Sequence, residues 1–350
     1  VLGGSFEFSL LVHLTGETSG NEDHTLDLLE EALRSGLLTE EVSGTHIMYH
    51  FWHPLIVSHL YENLSAARRA QLHRRTAQAL IEMHAGSEAK GAAAIAHHLD
   101  KYGQDKQKLA HYAEMAANQA MTLSAYPEAL HYYRQALEAL QSLQGETPAM
   151  EQDSIHLANL LEYMAECNLV QGNHAEARQQ YARVLELHTN QHKEASLFAS
   201  TEEFLAWQRE EAQVQGMIWR AIGHTWKYPG EYSRAHECAE WGKQVLRTAG
   251  ITTGPAWACL QHLDGSAYWA EGNFTEAMLH LEEALAIQEE LMRIAQTNAV
   301  DRQPSPSTLL PPLMTRTRRS LLGDPLELSA AHESLGIVTA SLGQYNGALQ

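Results

Sequence analysis

Apolar and polar positions follow the helical period along most of the chain, with one short exception near the start. "HTLDLLEEALRSGLLTEE" places leucines at 26, 28, 29, 33, 37 and 38, which predicts a helix ending at Gly36. "VSGTHIMYHFWHP" alternates with a period of two and predicts a short β-hairpin. "PLIVSHLYENL" and "SAARRAQLHRRTAQALIEMH" return to helix, with Pro54 suited to a first turn and Ser65 to an N-cap. From about residue 110 onward, amphipathic helical phrases follow one another in pairs.

The second phrase of each pair is nearly a copy of the others: "SAYPEALHYYRQALEAL", "QGNHAEARQQYARVLELH", "PGEYSRAHECAEWGKQVL", "EGNFTEAMLHLEEALAIQ" and "LGQYNGALQ". They align on a turn residue, Ser124, Gly172, Gly230, Gly272 and Gly343. An aromatic or histidine follows two places later (Tyr126, His174, Tyr232, Phe274, Tyr345), then an alanine (Ala129, Ala177, Ala235, Ala277, Ala348). Further on, Tyr133, Tyr181 and Leu281 share a position, as do Ala136, Val184 and Ala284. Small residues three and seven places apart face one way and admit a neighbouring helix closely. The preceding phrases supply Trp219, Gly223 and Trp226, then Gly265 and Tyr268, then Leu335 and Gly336. The unit is helix, turn, helix, and it resembles the tetratricopeptide repeat. That family's units run to about 34 residues, whereas these turns lie 48, 58, 42 and 71 residues apart. One unit cannot bury its own apolar face, so the expected fold is an all-α solenoid of stacked hairpins.

The stretch 295–325 breaks the rhythm with five prolines, predicting a long mobile inter-helix loop whose "RTRR" is solvated. The chain does not begin with Met and stops within a helical phrase, so the natural protein is expected to extend both ways.

The order helix, helix, hairpin, helix in the first hundred residues suggests a winged-helix-like module. "LLEEALRSGLLTEE" followed by "YHFWHPLIVSHLYENLSAARRAQLHRRTAQALI" resembles the segment after the nucleotide-binding core of STAND-type signalling ATPases, AAA-related switch proteins that include many bacterial transcriptional regulators. "VLGGSFEFSLLVHLTG" is similar to the helix preceding that winged helix, and "GAAAIAHHLDKYGQDKQKLAHYAEMAANQAMTLSAYPEALHYYRQALEAL" to the family's passage into its repeats. The resemblance implies a neighbouring ATPase domain with ATP or ADP, and a histidine, here His53 in "FWHPLI", that touches the bound nucleotide. The alternative for His53 is a cap or packing role at the hairpin exit. The expected division is a winged-helix-like module at 1–63, a helical connector at 64–109 and repeats at 110–350.

The net charge of −19 opposes generic binding to nucleic acid or anionic membranes. Arg68, Arg69, Arg74 and Arg75 cluster, yet residues 1–90 carry twice as many acidic as basic side chains, so DNA contact is disfavoured and a hinge between ATPase and array is the expected role. No apolar run is long enough to span a bilayer. Three irregularly spaced cysteines, Cys167, Cys238 and Cys259, make neither a disulfide framework nor a zinc site and suit burial in a reducing cytoplasm. No phosphate-binding G-x-x-x-x-G-K-[ST] loop, G-x-G-x-x-G or G-x-S-x-G motif occurs, so the chain is expected to hold no cofactor and to catalyse nothing. Among 21 histidines, His46, His50 and His53 come nearest to a metal cluster, but packing is the simpler reading.

A curved stack of helix pairs leaves a concave groove lined by first-helix side chains. Counting back from each turn names Glu162 and Glu166, then Arg220, His224 and Lys227, then His262, Ser266 and Trp269, then Glu333. Such mixed polarity suits a peptide or protein segment. The expected function is a protein- or ligand-binding sensor region of a multidomain signalling ATPase or transcriptional regulator. A passive assembly scaffold and the regulatory array of an attached kinase or cyclase are the alternatives.

Overall fold

The computed structural model describes residues 1–15, 23–43, 46–144, 151–190, 195–300, 314–321 and 324–343. It is all-α apart from one small sheet, and it divides into two compact units, Val1–Pro148 and Ala149–Gln350.

The first unit opens with β1 (Ser5–Glu7), α1 (Phe8–Thr15), α2 (Asp23–Arg34), β2 (Leu38–Ser43) and β3 (His46–Phe51). The expected hairpin is present as β2 and β3, paired antiparallel from Leu38↔Phe51 to Ser43↔His46. Strand β1 adds to the other edge of β3, giving the order β1-β3-β2. At three residues it is too short for alternation to reveal, and it interrupts a stretch expected to be helix alone. Burial explains it: Phe6 stacks on its register partner Tyr49 at 5.8 Å, over a small core with Leu29 and Leu38. Residues 44 and 45, within the expected hairpin, lie outside the described residues.

Among the described residues five α-helices complete the unit: α3 (Pro54–Glu62), α4 (Ala66–Met83), α5 (Ala92–Tyr102), α6 (Lys106–Thr122) and α7 (Tyr126–Gln144). Pro54 sits in the first turn of α3, and Ser65 caps α4 by accepting from the Arg68 N–H at 3.3 Å. One alanine-rich core runs from Ala77 on α4 to Ala139 on α7, so the junction expected at 109/110 falls inside it. His73 and His98 are buried and hydrogen-bonded through their Nδ1 atoms at 2.8 Å, with Tyr61 Oη 3.1 Å from His73 Nε2. Burial pushes both imidazoles down to about 4. Two of the clustered arginines engage the unit itself: Arg75 donates to the Leu14 carbonyl at 2.5 Å, and Arg69 lies over the Tyr61 ring at 5.2 Å.

The second unit comprises α8 (Glu151–Val170) with α9 (His174–Thr189), α10 (Thr201–Lys227) with α11 (Tyr232–Thr248), α12 (Pro255–Glu271) with α13 (Phe274–Val300), then α14 (Arg316–Leu321) and α15 (Pro325–Ser341). The turn residues behave as one class. Gly172, Gly230, Gly272 and Gly343 hold φ of 78°, 93°, 83° and 76°, and in the first unit Ser124 adopts 56°. A left-handed residue closes the first helix and releases the chain into the second. The frame residues Ala177, Ala235, Ala277, Val184 and Ala284 are fully buried, Tyr181 and Leu281 nearly or fully so. Ala129, Tyr133 and Ala136 match them in the first unit. Tyr345 and Ala348 lie outside the described residues.

Glycines on the first helices permit the close approach that the alanines imply. A Cβ on Gly265 would stand 2.7 Å from Leu281 Cγ and 3.1 Å from the Ala277 carbonyl oxygen. Between successive hairpins, the Arg178 guanidinium lies 3.2 Å from the centroid of the Trp226 ring and donates to Thr225 Oγ1. Asp264 on α12 accepts from Lys243 at 2.5 Å and lies 2.7 Å from His236 Nδ1, both on α11. All three cysteines are buried thiols, and burial pushes each up to about 12.

The stretch expected to be one mobile loop carries regular structure at both ends. Helix α13 runs on to Val300, and "RTRRSL" forms α14. Residues 301–313 and 322–323 lie outside the described residues. Proline content misled because the prolines flank α14 rather than interrupt it.

Candidate partner-binding groove

The first helices α8, α10 and α12, together with α15, present the side chains named from the repeat frame. The structure brings most of them together, around an unexpected neighbour: α14 is seated among them.

Glu162 and Glu166 are one turn apart on α8 and take the N-terminus of α14. The Arg316 N–H donates to Glu166 Oε1 at 2.7 Å, and the Thr317 N–H to Glu162 Oε1 at 3.1 Å. The first N–H groups of a helix have no partner within it, so two carboxylates there satisfy orphan donors and meet the positive end of the dipole. Burial and then the charge of Glu162 push Glu166 up to about 7, although the Arg316 N–H and two arginines oppose the shift. Burial also raises Glu162.

The other side of α14 meets α15. Ser320 Oγ donates to Glu327 Oε1 at 2.7 Å. Glu327 also accepts both terminal nitrogens of Arg220, at 2.9 and 2.6 Å. Burial alone would raise Glu327; the Arg220 charge and its bonds, with Ser320, hold it down to about 2. Thr317 and Ser320 are buried, and Leu321 packs on the apolar cluster of Ala212, Met217, Leu246 and Trp257. Arg316, Arg318 and Arg319 stay exposed. The segment thus anchors through positions i, i+3 and i+4, as a helix laid in a groove does. Arg220 is consequently a neutralised, buried residue rather than a free groove cation.

One turn on from Arg220, His224 is buried with neither ring nitrogen hydrogen-bonded, and its ring stacks on Tyr228 at 5.6 Å. A small gap of about 20 Å³ remains between it, Arg220, Glu162 and α14. Burial, then the charges of Arg220, Lys227 and Arg316, keep His224 well below the usual imidazole range. His262 Nε2 lies 2.9 Å from Ser334 Oγ, and burial with the same two α10 cations pushes it down to about 4. Both imidazoles are therefore neutral near pH 7.

Lys227 donates to Ser266 Oγ at 2.9 Å. Burial, then Arg220, pushes its amine down to about 8. Trp269 is 40% exposed and sets its indole N–H 3.4 Å from Ser341 Oγ. A cavity of about 260 Å³ opens beside these residues, with Tyr228, Tyr232 and Ser334 in its wall. Glu333 is exposed and joins none of these bonds. The acid that α15 turns into the groove is Glu327, which the frame did not single out. Its signal was present in part, because Asp324-Pro325 marks a helix start that places Glu327 in the first turn.

In the first unit, His53 caps α3: its Nδ1 accepts from the Leu55 N–H at 3.1 Å. His46 and His50 lie 3.1 and 3.2 Å from Glu7 and Glu41. Among the described residues no group of three or more metal-ligating side chains gathers, and no helix is long and apolar enough to cross a membrane.

Residues 265–292, the last part of α12 with most of α13, match the tetratricopeptide repeat family model. The chain carries a tetratricopeptide-repeat region. No curated protein sequence matches it. Among solved structures it is similar to the apo form of RapI, at 13% identity over 97% of this chain and 73% of that one, with a TM-score of 0.48. It is also similar to BtubC from P. vanneervenii (14% identity, 82% and 87% coverage, TM-score 0.44). A Rap protein complexed with competence and sporulation factor gives 13% identity, 84% and 67% coverage and a TM-score of 0.44.

Proposed function

We propose that the second unit is a peptide-docking array, and that α14 is its built-in occupant. The observation that carries this reading is the bonding of α14. Two backbone N–H groups meet Glu162 and Glu166, and a hydroxyl meets Glu327 in a groove lined by first helices. A partner taking this place would be a short helix with small hydroxyl residues at i and i+3, leucine at i+4 and a free first turn. Binding it requires α14 to leave, so the affinity for a partner is set against the intrachain contact.

The wider setting follows from the resemblance of the first hundred residues. The array would serve as the sensor of a cytoplasmic, multidomain signalling ATPase or transcriptional regulator, with chemistry confined to the neighbouring ATPase. His53 would then be the residue that touches the bound nucleotide.

The test is a titration in trans. A fluorescent peptide of residues 314–321 is added to the chain in which those eight positions are replaced by glycine and serine. Saturable binding, weakened at least about tenfold by Glu162→Met with Glu166→Met, is expected from leaving two backbone N–H groups without acceptors. Binding indifferent to both substitutions, or no binding, rejects the groove.

A further inference from the structure

The cavity beside Lys227 is not filled by α14, and its chemistry differs from that of the seat. Lys227 lies seven residues beyond Arg220 on α10, two turns along the same face and about 10 Å away. Arg220 has Glu327 as its counter-charge; among the described residues Lys227 has no carboxylate, its ammonium meeting the Ser266 hydroxyl at 2.9 Å and lying 5.6 Å from the centroid of the Tyr228 ring. That hydroxyl already donates to the Leu263 carbonyl at 2.9 Å, so it receives from Lys227 and has no proton left to give a ligand. The neighbouring histidines are neutral and supply no negative charge. A partly buried ammonium in this setting has polar and aromatic neighbours but not the counter-ion that burial of a charge ordinarily demands.

The wall around it is aromatic. Tyr228, Tyr232 and Trp269 line it, with the Ser334 hydroxyl as a further polar group. At about 260 Å³ the space lies just below the ~300–1,000 Å³ of pockets for drug-sized ligands. It suits a small, flat apolar body with one charge. A single ammonium matches a monoanion; a phosphate would call for further cations.

We propose that this cavity binds a small aromatic monocarboxylate, its carboxylate on Lys227 Nζ and its ring among Tyr228, Tyr232 and Trp269. The site stands apart from the α14 seat, since it uses neither Glu162 nor Glu166. Occupancy would hold α10, α12 and α15 together through one ligand.

The experiment is calorimetric titration of the whole chain with 3-phenylpropionate and with its neutral amide, 3-phenylpropionamide. Saturable binding of the acid is expected, with the amide at least about tenfold weaker, the loss of one charge-assisted bond. Lys227→Met should remove the preference for the acid, and Lys227→Arg should keep it. Glu162→Met with Glu166→Met should leave it unchanged, which separates this site from the peptide groove. Equal binding of acid and amide to the unaltered chain overturns the proposal, as does no saturable binding of the acid or full binding by Lys227→Met. The acid-amide comparison needs no variant, so it decides even where a variant folds poorly.

Discussion

Arg220 on α10 and Glu327 on α15, 107 residues apart in sequence, form a two-bonded ion pair at 2.9 and 2.6 Å with both side chains 5% exposed. Such a pair is weak as a source of net stability but costly to break from one side, because the survivor is left charged and buried. Glu327→Ala is therefore expected to destabilise the second unit by about 3–5 kcal/mol, read from urea unfolding. Replacing both residues, Arg220→Met with Glu327→Leu, should recover much of that loss. If the single and double variants unfold alike, the pair is not the element holding α15 to α10.

The same pair sets an acid limit. Glu327 is held down to about 2 in the folded chain, below its ordinary value of 4.5. The folded state binds fewer protons here than the unfolded one between those values. The stabilisation is thus complete above pH 4.5 and is lost as pH falls toward 2. Acid unfolding of the second unit followed by circular dichroism should start at higher pH in Glu327→Gln.

In the first unit His73 and His98 act at milder acidity. Burial holds both at about 4, against an ordinary 6.5. The unfolded chain takes up these protons first, so stability is full above pH 6.5 and declines as pH falls to 4. The melting temperature of the first unit should drop across that window. Combined His73→Leu and His98→Leu should flatten the slope; an unchanged slope would place the acid sensitivity elsewhere.

Gly265→Ala tests the close stacking of hairpins. Its methyl would meet Leu281 and the Ala277 backbone, and backbone cannot swing aside. A loss of about 1–3 kcal/mol is expected from overpacking. A neutral result in thermal unfolding would mean that α12 and α13 are less tightly nested than the geometry requires.

Much of the array was legible because its rule is local. A turn residue followed by an aromatic or histidine and then an alanine recurs at fixed offsets, and the structure gives Gly172, Gly230 and Gly272 a positive φ at that turn. Caps were equally local, as at Ser65 and Pro54. Counting back from a turn fixes a helix face, so the residues named that way on α8 and α10 include Glu162 and Glu166, which meet α14, and Arg220, which meets α15. What closes the groove was hidden. Helix α14 is six residues long among prolines, with no period to detect, and nothing in the spacing ties Arg220 to an acid 107 residues away. Strand β1 escaped for the same reason, since its Phe6 is explained only by Tyr49 across the sheet.

Hydrogen exchange at the Arg316 and Thr317 amides tests the central claim most directly. Both should exchange far more slowly than in a free peptide, because Glu166 and Glu162 accept from them. Glu162→Met with Glu166→Met should restore fast exchange there while α10 and α12 stay protected. Free-peptide exchange at these two amides in the unaltered chain would contradict the account.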